Sequence, residues 1–241
     1  NNEGNGNYQF SILGVRDVIS KDTSNLFSQF SIHTQEINDD KKFVGNLGLG
    51  YRFLNPDESF MFGSNVFYDT DIQEGHKRIG YGLEAKAAIV DFSFNQYLKT
   101  TNQKVISGTK EQILSGNDYN ISSQVPYMPW STFNLQGYRY ENEKASNDQK
   151  GYIYSLENML NPSLQFNIEL DNSSISGVKD EYNYEFVFIY PPQEKEYSLS
   201  KKAISDVAFE KKNMQAALKD KVRRNNNLTV EIQGSVIFTS K

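Results

Sequence analysis

The strongest constraint on this chain is the alternation across residues 43–71, FVGNLGLGYRFLNPDESFMFGSNVFYDTD. Phe43, Gly45, Leu47, Leu49, Tyr51 and Phe53 take the odd positions, against Val44, Asn46, Gly48, Gly50 and Arg52 on the even ones. A period of two puts the first set on one face of a strand and the second set on the other. Asn55-Pro56-Asp57-Glu58-Ser59 supplies turn residues. The returning strand carries Phe60, Phe62, Val66 and Tyr68 opposite Asn65 and Asp69, with Met61 and Phe67 interrupting the polar row. Such a hairpin suits a half-buried strand of a soluble sandwich. It equally suits the wall of an outer-membrane barrel, apolar outside and polar inside.

The rhythm recurs along the chain. Strands are expected over 8–19, 26–37, 43–53, 60–69, 79–87, 90–98, 119–127, 133–141, 152–160, 164–171 and 182–190, eleven before Pro191. Tyr182, Tyr184, Phe186, Phe188 and Tyr190 form an aromatic row in the last. Residues 100–117 read as a long polar connection, and Pro126 weakens the strand that contains it, because proline cannot donate to a ladder. Connections near 20–25, 55–59, 88–90, 129–132 and 160–163 are short; those near 71–77, 101–117, 141–150 and 171–180 are longer, with 38–41 the exception. Sorting of loop length by parity is what an outer-membrane barrel presents, and a sandwich has no reason for it. An odd strand count sits poorly with a single-chain bacterial barrel, so either a leading strand is absent or another segment replaces it.

GLGYRFLNPDESFMFGSNVFYDTD, followed by GHKRIGYGLEAKA, resembles the barrel domain of the intimin/invasin adhesins, the inverse autotransporters. The resemblance resumes at Val222-Arg223-Arg224-Asn225-Asn226-Asn227-Leu228-Thr229-Val230-Glu231, similar to the basic, triple-asparagine stretch that follows the barrel in that family. Between them the match is one of strand rhythm only. The resemblance implies an all-β, antiparallel transmembrane barrel of about 12 strands over residues 1–191, a helix on the periplasmic side within 192–224, and an extended segment over 225–241. It further implies an anchor and export barrel in the bacterial outer membrane. Its partners would be outer-membrane lipid and lipopolysaccharide, the barrel-assembly machinery and a C-terminal passenger; Lys241 would stop short of that passenger.

Composition narrows the alternatives. At 37% hydrophobic residues and a mean hydropathy of −0.63, no segment approaches the ~18–20 apolar residues of a membrane helix; a barrel, whose apolar residues are diluted by alternation, is untouched by this. The 15 Tyr and 16 Phe suit strand-end girdles. The absence of cysteine excludes disulfides and thiolate metal sites. A net charge of −5 disfavours nucleic acid. Starting at Asn1 with no leader, the chain reads as a mature or trimmed piece.

After Pro191-Pro192 the spacing of Ile204, Val207, Ala208, Met214, Ala217, Leu218 and Val222 turns helical, which predicts a helix over 198–222. Residues 228–238 alternate again and must run outward. Two placements follow: through the pore, where Gly48, Gly50, Gly80 and Gly82 would leave room, or in the vacant wall position. The linker residues concerned are Arg223, Arg224, Asn225, Asn226, Asn227, Val230 and Ile232.

Nothing in the sequence reads as catalytic, and no cofactor or metal is expected. The two histidines, His33 and His76, lie in different hairpins without a nucleophile partner. Asp69, Asp71, Glu74 and His76 crowd one loop, a weak Ca²⁺ signal set against a solvated loop. Arg52, Glu84, Lys86, Asp91, Glu169 and Glu185 are the expected inward charges, either ion pairs that fill an interior or a lining that grips the linker. The functional alternatives are a porin-like channel and a soluble β-sandwich binding module.

Overall fold

The computed structural model describes residues 9–38, 40–174, 180–192 and 197–232 and the backbone of 235–236. Eleven strands form one antiparallel meander: β1 (Ser11–Lys21), β2 (Ser24–Ile37), β3 (Asp40–Leu54), β4 (Phe60–Asp71), β5 (Lys77–Ala87), β6 (Val90–Lys99), β9 (Gly116–Val125), β10 (Met128–Tyr140), β11 (Gln149–Asn161), β12 (Leu164–Ser173) and β13 (Glu181–Phe188). Each strand pairs with its predecessor, so β1 and β13 are the two edges. Because the count is odd, these edges run in the same direction. Strand β9 ends at Val125, so Pro126 falls in the turn, where no ladder bond is lost.

The connection at 100–115 is more than a polar loop. It holds a hairpin, β7 (Lys104–Ile106) and β8 (Thr109–Ile113), that belongs to a second, four-stranded sheet with β14 (Val230–Ile232) and β15 (Ser235–Val236). Short turns gather at one end of the main sheet; this hairpin and the longer loops gather at the other.

The main sheet is curled. Gln29 on β2 accepts from Val222 N, while Glu157 on β11 accepts from Arg223, the next residue. The two strands are seven steps apart in the sheet, which is ~34 Å along a flat surface at ~4.8 Å per step. One face of the sheet therefore wraps around the returning chain. Polarity is inverted across the wall: Arg52 is 0% exposed on the inner face, while Leu47 is 61% exposed on the outer one.

The helix expected over 198–222 is corrected to a single turn, α1 (Met214–Ala217), capped by Asn213. Upstream, the backbone bonds to the wall instead: Leu199 and Ser200 donate to Met159 and Leu160, Ser205 donates to Tyr127, Ala208 accepts from Tyr127, and Lys212 donates to Ala88. Helical spacing is a weak preference, and these tertiary partners displace the internal i→i−4 bonds. Helix α1 packs Met214, Ala217 and Leu218 on Leu54 and Met61.

The inward glycines have a different task from the one expected. A Cβ at Gly50 would lie 2.3 Å from the Phe27 ring, and one at Gly48 would lie 2.4 Å from Phe67. Each ring lies on its glycine and carries a guanidinium 4.2 Å above, Arg52 over Phe27 and Arg224 over Phe67. Gly80 repeats the device with Tyr97, over which Arg78 sits at 4.1 Å, and a Cβ there would also meet the returning chain at Arg224. Gly50→Val should lower stability to urea by about 1–3 kcal/mol through overpacking. The double variant with Phe27→Ala should lose less than the two singles summed, since both act on one contact.

Candidate functional site

The site is the channel that the inner face makes with residues 218–232. Its walls follow from the alternation: every second residue of β2 to β11 points inward, and most are polar.

At the short-turn end, Arg52 bonds both Glu84 oxygens at 2.8–3.1 Å and also donates to the Leu218 and Asp220 carbonyls. Lys86 pairs with Asp220 at 2.9 Å, and Lys212 pairs with Asp91 at 2.8 Å. Four of the six expected inward charges thus meet the returning chain or one another. Glu169 is half-buried on β12, and Glu185, on edge strand β13, is exposed and bonds Asn167; neither joins this network.

Midway, Asp69 is fully buried between two arginines, accepting from Arg78 at 2.7 Å and from Arg224 at 2.6 and 2.9 Å. Arg78 reaches on to the Asn225 carbonyl at 2.6 Å. Asn225 donates its amide N–H to Tyr97 at 2.8 Å and its side-chain amide to Tyr140 at 2.7 Å. Arg223 forms a two-pronged pair with Glu157 at 2.6 and 2.8 Å. The Asn226 carbonyl accepts from Asn46 at 3.0 Å, and Asn227 N donates to the side chain of Asn225.

Several contacts read only the backbone. Gln35 behaves as a detached piece of strand, accepting from Leu228 N at 2.9 Å and donating to Leu228 O at 2.7 Å. Gln29 and Asn95 bond Val222 N and Arg223 O.

Toward the long-loop end the channel turns apolar. Leu228 packs with Val44 and Ile113, and Val230 and Ile232 pack with Ile37. Val230 and Ile232 also pair with β8, not with β1 or β13, so the wall placement is corrected for 230–232; residues 233–234 and 237–238 lie outside the described residues. Glu231 then accepts three consecutive backbone N–H groups, of Glu143, Lys144 and Ala145, from the β10–β11 loop. Such a nest of amides suits a carboxylate.

The acidic loop disperses. Asp69 belongs to the arginine pair, Asp71 accepts from Gln73 and Glu74 backbone N–H groups, and His76 lies 3.6 Å from Glu111 on β8. Burial, aided by Lys104 and Lys42 and opposed by Asp71, holds the His76 imidazole down to about 4. The contact with Glu111 is therefore that of a neutral ring at neutral pH. Burial pushes the Glu111 carboxyl up, against the pull of Lys42 at 3.3 Å.

The sequence singles out Asp69 only as a polar-face residue and a weak Ca²⁺ ligand, and Arg78, Tyr97, Tyr140, Glu157 and Glu231 are not among the expected site residues. Asp69 and Arg78 had the right parity to be found; nothing in the sequence paired Glu231 with a loop nearly ninety residues upstream.

The sequence profile described as "Inverse autotransporter, beta-domain" matches residues 5–226. The chain belongs to this family. The inverse autotransporter domain is similar to Invasin of Yersinia enterocolitica, 28% identical over 50% of this chain, and to Inverse autotransporter adhesin YeeJ of Escherichia coli, 26% identical over 86%. It is also similar to Intimin of Citrobacter freundii, 23% identical over 90%. It spans only 14%, 9% and 24% of those relatives' own lengths. A solved structure from work on "Unveiling the Mechanism Behind the in-meso Crystallization of Membrane Proteins" has the same fold, with a TM-score of 0.75 over 95% of both chains at 21% identity.

Two outcomes are expected. Asp69→Ala strands two buried guanidinium groups, costs about 3–5 kcal/mol, and should expose Arg223 and Arg224 to trypsin. For His76, the unfolded chain binds a proton near pH 6.5 while the folded one waits until about 4. Its contribution is full above 6.5 and falls as pH drops toward 4, whereas Glu111, taking up its proton in the fold, offsets part of the loss. Amide exchange across β7–β8, corrected for intrinsic rates, should rise on acidification by at most about tenfold per pH unit, and less so in His76→Gln.

Proposed function

We propose that this chain is the outer-membrane anchor and export barrel of an inverse autotransporter, which carries a C-terminal passenger outward and then tethers it. The observation that carries the reading is the inverted polarity of the wall around its own returning segment. Charged and amide side chains line the inside, aromatic and aliphatic ones cover the outside, and residues 218–232 occupy the space between. A surface of exposed Leu, Phe and Tyr suits hydrocarbon. Backbone groups in lipid have no water to bond, so a spanning sheet must close. The two edges run in parallel, so closure takes one further strand of opposite direction between β1 and β13, which makes an even count.

In this reading the short turns face the periplasm and the long loops face outward. The chain leaves β13 on the inner side, crosses the mouth, and climbs through the lumen to β14. Arg52, Glu84, Lys86 and Asp91, Arg223 to Asn227 and the two-arginine clasp on Asp69 form a plug that keeps the pore shut to ions. Outer-membrane lipid, lipopolysaccharide and the barrel-assembly machinery are the partners the family implies, and the passenger follows the linker.

Conductance in planar bilayers tests this. The intact chain should be nearly silent, and deletion of 222–241 should raise conductance by at least ~10-fold as a polar lumen opens. A large steady conductance in the intact chain would mark a porin-like channel instead, and a monodisperse monomer without detergent would mark a soluble module.

A further inference from the structure

Residues 197–211, ahead of Lys212 and α1, are a part of the molecule to which neither the wall nor the plug gives a task. With Lys212 and α1 this segment travels along the short-turn end from strand to strand. Leu199 and Ser200 bond the end of β11, Ser205 and Ala208 bond Tyr127 in the β9–β10 turn, Lys212 bonds Ala88 in the β5–β6 turn, and Gln215 bonds Glu58 in the β3–β4 turn. Trp130 donates its indole N–H to the Ala203 carbonyl at 2.7 Å. The segment and α1 are thus laced to the end of β11 and to three successive short turns, and follow the rim.

Its polarity repeats that of the wall. Ser198 and Ser205 are buried, and Glu210 N donates to the inward side chain of Gln124 at 2.8 Å. Ile204 is 72% exposed, and Leu199, Val207 and Phe209 are exposed with it. In water this arrangement is the wrong way round, since apolar area is left wet while hydroxyls are buried. The exposed side chains are continuous with those of Tyr127 and Met128, which the backbone bonds bring alongside. Lys201 and Lys211, both exposed, bracket the apolar run. Apolar side chains between flanking lysines, beside a Trp and a Tyr, match the chemistry of the boundary between headgroups and acyl chains.

We propose that residues 199–211 form an interfacial strap, which lays Ile204, Val207 and Phe209 into the headgroup–acyl boundary of the inner leaflet and sets Lys201 and Lys211 against lipid phosphates. The occupant is phospholipid. The strap rests on the membrane-barrel reading and adds a second attachment to it: the linker is fixed to the bilayer just before it enters the lumen, so that pull on the passenger that gets past the plug is met at the rim before it reaches β13.

The chain has no cysteine, so single-cysteine variants label cleanly. Ile204→Cys, Val207→Cys, Asp206→Cys and Leu83→Cys would each carry an NBD fluorophore, with the full chain inserted in phosphatidylethanolamine/phosphatidylglycerol vesicles. Asp206 has a side chain 98% exposed between the two apolar test positions, and Leu83 lies on the outer face of β5. Labels at 204 and 207 should be quenched at least about twofold more by 5-doxyl lipid than by 14-doxyl lipid, as a shallow site requires, and should resist iodide. The label at 206 should be quenched by iodide, and that at 83 by lipid alone. If 83 is lipid-quenched while 204 and 207 are quenched by iodide like 206, the barrel stands and the strap is overturned, its apolar face then awaiting a protein. If 83 is not lipid-quenched, the membrane reading fails and the strap fails with it.

Discussion

Asp69 sits at the middle of the molecule with two guanidinium groups on it, one from the wall and one from the returning chain. A charge with no exposure must be matched where it stands, and here the match is split between Arg78 and Arg224. The same division recurs along the lumen. Glu157 is met by Arg223, Lys86 by Asp220, and Asp91 by Lys212. The wall is not electrostatically complete without the segment that enters it. Of the wall's inner charges, Arg52 and Glu84 form a pair of their own, and even Arg52 lends two bonds to the segment's carbonyls.

Two kinds of recognition are interleaved along that path. Gln29, Gln35, Asn46 and Asn95 bond main-chain groups, which any residue would offer. Asp69, Glu157 and Tyr140 bond particular side chains, Arg224, Arg223 and Asn225. The first kind is indifferent to sequence; the second fixes one sequence in one register. The outer closure adds a third element, since Glu231 takes three amides from the β10–β11 loop while its strand pairs with β8. The linker is thereby tied to two connections at the long-loop end.

The stacked rings answer a packing problem peculiar to an inside-out protein. Charged groups on a polar lining need low-mobility neighbours, and Phe27, Phe67 and Tyr97 supply flat supports for Arg52, Arg224 and Arg78. The glycines beneath exist because a ring must lie against backbone there. Inward aromatics at Phe67 and Tyr97 look like breaks in a polar row, and they are the seats of the cations.

The eleven wall strands, their facing and the odd count were legible in residues 8–190, because a period of two is a local property that survives in any fold. Inward parity likewise marked Arg52, Glu84, Lys86 and Asp91. Local spacing misled at 198–222, where a helical pattern yielded to backbone partners on Met159, Tyr127 and Ala88, each distant in sequence. It left residues 228–232 undecided, since an apolar row fits lipid as well as a greasy pocket; Ile37 and Val44 of the β2–β3 hairpin and Ile113 of β8, more than sixty residues further on, supplied the pocket. Alternation thus determined which way each wall residue points. Which charges meet, where the returning chain lies and what holds Glu231 depended on curvature and long-range register, and those arise only when strands far apart in the chain share one enclosed space.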